Sequence, residues 1–138
     1  MDQEIIKILL ANDHSLLRTG FKHTLHKTEH IRIVEEAVSF PDLYRKLEQC
    51  QPDILMTDDA MPEGDLITDL PKIKELYPRL KIIANSMHSD LIYLKQLAQL
   101  TDGLVSFHAG SEAYIKAIET VYYNGLYYYL PGFRKREK

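Results

Sequence analysis

The chain has 138 residues, 45% hydrophobic and 27% charged, the balance of one compact folded domain, which excludes a disordered chain. Its net charge of −3 conceals an asymmetry: the tail Arg134, Lys135, Arg136, Glu137, Lys138 carries +3 and leaves the rest at −6, so the body lacks the basic footprint of a nucleic-acid binder. One cysteine, Cys50, cannot form an internal bridge, and no apolar run approaches the roughly 18 residues of a membrane span, so a reducing, cytoplasmic location without a signal peptide is expected.

The elements alternate along the chain. Ile5, Ile6, Ile8, Leu9 and Leu10 form a short apolar run ending at Asn12 and Asp13, the pattern of a strand buried on both faces. Leu16, Leu17, Phe21 and Leu25 then make one helical stripe from about residue 15 to residue 27. Ile31 to Val38 is β-branched enough for a second strand, and Ser39 caps a helix over residues 40 to 50 carrying Leu43, Tyr44 and Leu47. Ile54 to Thr57 is the third strand, running into Asp58 and Asp59. The next helix is predicted to begin near Thr68 or Asp69, because Pro71 is tolerated in a first turn, and to stop before Pro78. Lys81 to Asn85 is the fourth strand, followed by a helix over residues 89 to 100 with Ser89 as its cap. Leu104 to Phe107 is the fifth strand, and the last helix runs from Ser111 to Gly125.

Five strand and helix pairs at this spacing predict an α/β fold: a doubly wound five-stranded parallel sheet in three layers, flavodoxin-like, with the order 2-1-3-4-5. Such sheets place their chemistry beyond the carboxyl ends of the strands, where the order reverses. Polar residues cluster after strands one, three and four: Asn12 and Asp13, Asp58 and Asp59, Asn85 and Ser86. Asp58 ends an apolar strand, where a buried charge without a partner is costly. Asp13 alone reads equally well as a helix cap, and Ser86 alone as a cap. Asp59 is expected to point away from Asp58, since adjacent strand residues face opposite sides. His14, His88 and His108 come from different strand ends without metal-ligand spacing and read as loop or rim residues.

Four segments carry a resemblance. Leu9-Leu10-Ala11-Asn12-Asp13-His14, Ile54 to Pro62 with an aspartate three residues before Met61-Pro62, Ser86-Met87-His88, and Thr101-Asp102-Gly103 together resemble the receiver domain of two-component response regulators over residues 5 to about 130. His14 and Met87-His88 are similar to the subfamily fused to a LuxR/NarL-type helix-turn-helix domain. The resemblance implies that Asp58 is the phosphoacceptor and that Ser86 supplies the hydroxyl for a phosphoryl oxygen. It implies further that Asp13, Asp58 and the main-chain carbonyl of Ala60, with Asn12 as a neutral addition, ligate Mg²⁺. A divalent cation suits such a site because a phosphoryl group adds negative charge beside existing carboxylates. The implied partners are a sensor histidine kinase, a second copy of the chain, and DNA through an output domain outside this sequence, with no membrane. On this reading residues 1–130 are the receiver and 131–138 a basic tail or the start of a linker. Chemistry is limited to self-phosphorylation and autodephosphorylation rather than enzyme turnover.

Three positions depart from the pattern. Phe107 stands where the family carries a lysine, Asn12 where it carries a first acidic residue, and Leu104 at the aromatic switch position. A charge-assisted hydrogen bond of the lysine kind is worth about 1.5 to 3 kcal/mol, so phosphorylated Asp58 loses a stabiliser and Mg²⁺ binding weakens. His108 is the one alternative donor, displaced by a residue. These departures favour a second expectation, a degenerate receiver acting as a phosphorylation-independent interaction and dimerisation module. A hydrolase using Asp13 and Asp58 as paired carboxylates is a third, lacking a further acid or base. Six of nine tyrosines follow residue 113, among them the adjacent Tyr122 and Tyr123, which cannot both face inward; they mark the last helix as a homodimer surface, or pack locally under the tail.

Overall fold

The alternation of burial along each strand explains the architecture. In the computed structural model, which describes residues 4–86, 90–106 and 109–125, β1 (Ile6–Ala11) sends Ile6, Ile8 and Leu10 into one core and Leu9 and Ala11 into another. Its apolar residues, interrupted by the exposed Lys7, therefore serve two cores on opposite faces of one sheet. The same division holds in β3 (Ile54–Asp58), β4 (Lys81–Ser86) and β5 (Gly103–Ser106): Ile54, Met56, Ile83 and Val105 face one side, Leu55, Ile82, Ala84 and Leu104 the other. With β2 (Ile31–Ala37) these strands form one parallel sheet in the order β2-β1-β3-β4-β5. The predicted topology is the observed one.

Helices α1 (Ser15–Leu25) and α5 (Ser111–Asn124) cover the first face, through Leu25, Tyr114, Ala117, Ile118 and Val121. Helices α2 (Phe40–Cys50), α3 (Leu66–Leu76) and α4 (Leu91–Leu100) cover the second, through Phe40, Leu43, Leu47, Leu66, Leu70, Ile73, Leu94 and Leu97. The Ser39 hydroxyl accepts from the Asp42 N–H at 3.2 Å, as an N-cap should, and α5 ends on Gly125 at φ 63°.

Strand β2 contains a bulge. Ile8 pairs with Ile33 but Leu9 with Glu35, so Val34 is an extra residue and the phase of the strand inverts beyond it. Ile31 and Ile33 face the α1/α5 core, whereas Ala37, of the same parity, enters the opposite one. The inversion turns Glu36 toward α1, where it meets Arg18 Nε at 2.9 Å and Lys22 Nζ at 2.8 Å, and Glu35 toward Lys46 of α2 at 3.3 Å.

Three sequence expectations are corrected. Helix α3 begins at Leu66, not at Thr68 or Asp69, because Asp65 caps it: its carboxylate accepts from the Thr68 N–H at 3.1 Å, while the Asp69 carboxylate accepts from the Asp65 N–H at 2.8 Å. Two donors satisfied reciprocally outweigh the proline, and Pro71 lies inside the helix on an exposed face. Helix α4 is capped by Asp90, whose carboxylate accepts from the Ile92 N–H at 2.9 Å; Ser89 lies outside the described residues. In α1, Leu16 is 84% exposed and leaves the predicted stripe, because the helix presents only Leu17, Phe21 and Leu25 to the sheet side.

Candidate acidic site at the carboxyl ends of the strands

Asp58 is the last residue of β3, the central strand, and is 5% exposed. It pairs in register with Asn85 of β4, and since Ala11 pairs with Thr57, the chain after β1 brings Asn12 to its other flank. The Asp59 N–H donates to Asp58 Oδ1 at 2.8 Å. Ligating atoms of Asp13, His14 and Asp58 lie within 4.8 Å of one another, and His14 Nε2 is 3.5 Å from Asp13 Oδ1. Burial pushes the Asp58 carboxyl above its ordinary range, and the nearby Asp59 and Asp13 charges push the same way; the Asp59 N–H and His14 only partly oppose them.

The first turn is built on Asn12, which is fully buried. Its Oδ1 accepts from the His14 N–H at 2.7 Å, an Asx turn that sets the direction of α1, and its carbonyl accepts from Arg18 Nη1 at 2.7 Å. The Asn12 Nδ2 has no hydrogen-bond partner, and neither has the Nδ2 of Asn85, itself 1% exposed. Asp58 thus stands between two buried carboxamides with unused donors.

Ser86 ends β4 at 3% exposure, and its hydroxyl donates to Asp59 Oδ2 at 2.6 Å. This corrects the expectation that Asp59 points away: β3 ends at Asp58, so strand alternation no longer governs the following residue. His14 is an exposed residue of the first turn, as expected, and its ring also lies within ligating distance of Asp13 and Asp58. Ala60 lies exposed between Asp59 and Met61, which is buried at 5% and anchors the loop. Leu104 is fully buried in the α2/α3/α4 core. Phe107, the position compared with a lysine, lies outside the described residues, as do Met87, His88 and His108.

Sequence reasoning passed over Arg18, and it placed Asn85 at a strand end without giving it a role. Arg18 is found by noting that a helix starting at Ser15 returns residue 18 toward the preceding turn, and Asn85 by writing the strands in register. Two carboxylates converging with an imidazole fit a divalent cation, and the oxygen donors suit Mg²⁺. Asn12 fits less well as a ligand, because its Oδ1 is already engaged and its Nδ2 cannot coordinate.

Comparison with known proteins places this geometry. The profile described as response regulator receiver domain matches residues 8–107, which is most of the chain. The chain belongs to the response regulator receiver family. Among its relatives, the oxygen regulatory protein NreC of Staphylococcus carnosus is 35% identical over 124 residues, covering 88% of this chain and 57% of that protein. NreC of Staphylococcus haemolyticus is 34% identical over 119 residues, covering 85% and 55%. This receiver chain therefore spans a little over half the length of these relatives. Its fold is similar to the isolated receiver domain of RcsB from Salmonella enterica serovar Typhimurium, solved in the presence of the phosphomimetic BeF3−, with TM-score 0.86 and 25% identity over 92% of this chain and 94% of that one. The non-phosphorylated RcsB receiver of Escherichia coli matches with TM-score 0.86 and 25% identity, covering 92% and 99%. A LuxR-family regulator from Aurantimonas shares the fold, with TM-score 0.83 and 21% identity over 91% and 89%. The chain is thus a receiver of the NreC and RcsB type, a module of two-component signalling. Among the described residues no helix is long and apolar enough to cross a membrane.

Proposed function

We propose that Asp58 accepts a phosphoryl group from a sensor histidine kinase and that the modified domain controls a transcriptional output domain through dimerisation. One observation carries this reading: a carboxylate buried at the end of the central strand, with a second carboxylate, Asp13, within ligating distance of it. The Asp59 N–H holds Asp58 Oδ1, which leaves Oδ2 as the attacking oxygen. The new bond joins Oδ2 to phosphorus, the bond from phosphorus to the donor breaks, and the donor imidazole departs with the electron pair. Ser86, whose hydroxyl now bonds Asp59, would turn to a phosphoryl oxygen. Asp13, Asp58 and the Ala60 carbonyl would hold Mg²⁺, which when bound offsets the repulsion between the carboxylates and the incoming phosphoryl oxygens. Arg18 would support the site indirectly by holding the Asn12 carbonyl and Glu36.

RcsB, whose dimers are described on two parallel DNAs, supports a homodimer with DNA contacted through an output domain. A cytoplasmic receiver of about 130 residues with a basic linker after residue 130 fits that arrangement. The direct test is the intact mass of the protein after incubation with Mg²⁺ and acetyl phosphate, beside Asp58→Asn. An adduct of one phosphoryl group on the native chain alone is expected; equal masses, with folding confirmed, overturn the reading.

A second reading is favoured by Leu104, fully buried where the family's switch carries an aromatic ring. An aliphatic side chain packed in the core offers no ring to rotate, so the domain would act as a phosphorylation-independent dimerisation module. Binding to its partner that is unchanged by Asp58→Asn would favour this alternative.

A further inference from the structure

We infer that the Asn85 carboxamide is a phosphoryl-binding group, donating from Nδ2 to an oxygen of the group carried by Asp58; the inference rests on the phosphoacceptor reading above. Asn85 follows Ile83 by two residues in β4, which puts both on the sheet face that Met56 and Val105 share. It pairs in register with Asp58, so its side chain and the carboxylate are neighbours on adjacent strands of that face. Its neighbours on that face include the apolar Ile83 and Val105. The position itself holds an amide that is 1% exposed and whose Nδ2 has no hydrogen-bond partner. An unsatisfied buried donor opposes folding, so its presence in a native fold calls for a specific reason, such as a functional role or a bound group that completes it.

Apart from Asn12 Nδ2 on the opposite flank, the neighbouring side-chain donors are committed. The Tyr114 hydroxyl donates to the Ser106 carbonyl at 3.1 Å, the Ser86 hydroxyl to Asp59, and the Arg18 guanidinium to the Asn12 carbonyl and Glu36. Asn85 Nδ2 is therefore the donor beside Asp58 on β4 that an added anion can recruit without breaking an existing bond. Being neutral, it stabilises the phosphorylated carboxylate without drawing a counter-charge into the unmodified site. It is thus a donor of a different kind from the lysine whose position Phe107 occupies.

The test is BeF3− binding in Mg²⁺, followed by calorimetry, for the native chain, Asn85→Leu and Asn85→Ala, with thermal melting of each in the absence of BeF3−. Loss of one hydrogen bond to a charged group predicts BeF3− affinity about tenfold weaker in both variants. Asn85→Leu should also melt higher than the native protein without BeF3−, because the orphaned donor is gone. Asn85→Ala guards against a leucine that fails to pack. If the native chain binds BeF3− and both variants bind it equally well, Asn85 is a structural residue and the inference fails alone. If the native chain itself binds no BeF3−, the phosphoacceptor reading fails and takes this inference with it.

Discussion

Asp58 is held protonation-prone by burial and by its acidic neighbours, and the sign of the consequence follows directly. A carboxyl whose folded value lies above its unfolded value stabilises the fold when protonated, and that contribution is lost as pH rises through the raised value. At neutral pH the buried charge therefore works against folding, and Asp58→Asn should raise the melting temperature on the order of 3 °C, an increment that shrinks as the pH is lowered. Glu36 behaves in the opposite way. Burial alone would raise its carboxyl, but the hydrogen bonds from Lys22 and Arg18 outweigh that and hold it below the ordinary range. Its contribution is present above the ordinary carboxylate range and lost as pH falls through the depressed value. Because Glu36 is partly exposed, Glu36→Gln should cost only about 1 kcal/mol at neutral pH, and urea melts repeated in acid should show the difference vanish. That Asp58 and Asp13 come together was legible, because both stand at strand ends that the strand order makes neighbours. The Ser86 to Asp59 bond was not, since alternation carries no information once a strand has ended.

At the scale of elements, the apolar stripes located every helix and the β-branched runs every strand, while the termini depended on side-chain caps. Ser39 and Gly125 were readable because their residue types have one common use at helix ends. Asp65 was hidden behind the stronger signal of Pro71, although the reciprocal bonds with Thr68 and Asp69 decide where α3 begins. Since Pro71 removes a backbone donor from the interior of that helix and faces solvent, Pro71→Ala should stabilise the protein by about 1–3 kcal/mol in chemical denaturation. The loop before α3 is tighter still. A Cβ added at Gly64 would lie 2.4 Å from Cδ2 of Phe40, a ring buried in the core beneath it. Gly64→Ala should therefore cost about 1–3 kcal/mol, read by the same denaturation, because the ring has no room to retreat.

For the whole molecule, the order of the strands was legible because right-handed crossovers leave few alternatives for five alternating pairs. The assembly was less so. Tyr127, Tyr128 and Tyr129 lie outside the described residues; of the other three tyrosines after residue 113, Tyr114 is core, Tyr122 bonds Glu4 at 2.9 Å, and Tyr122 and Tyr123 pack edge to face at 5.1 Å, so local packing accounts for part of what composition suggested as an interface. Tyr123 at 46% exposure and Leu16 at 84% remain outward on α5 and α1. If these helices pair two copies, sedimentation should show mass rising with concentration, and Leu16→Glu should abolish the rise. The bulge at Val34 has a different bearing on how copies meet. Strand β2 forms one margin of the sheet, where an extended chain could pair, and side chains already hold part of its backbone: the Ile33 N–H donates to His26 Nε2, the Glu36 N–H to Glu35 Oε1, and Lys46 Nζ to the Glu36 carbonyl. The extra residue sharpens the local twist, and Glu35 and Glu36 beyond it put a carboxylate on each face, so an incoming strand finds neither a straight template nor an uncharged face. Deleting Val34 would straighten that margin, and the expected result is growth of ordered β-sheet aggregates from a domain that otherwise shields its own edge.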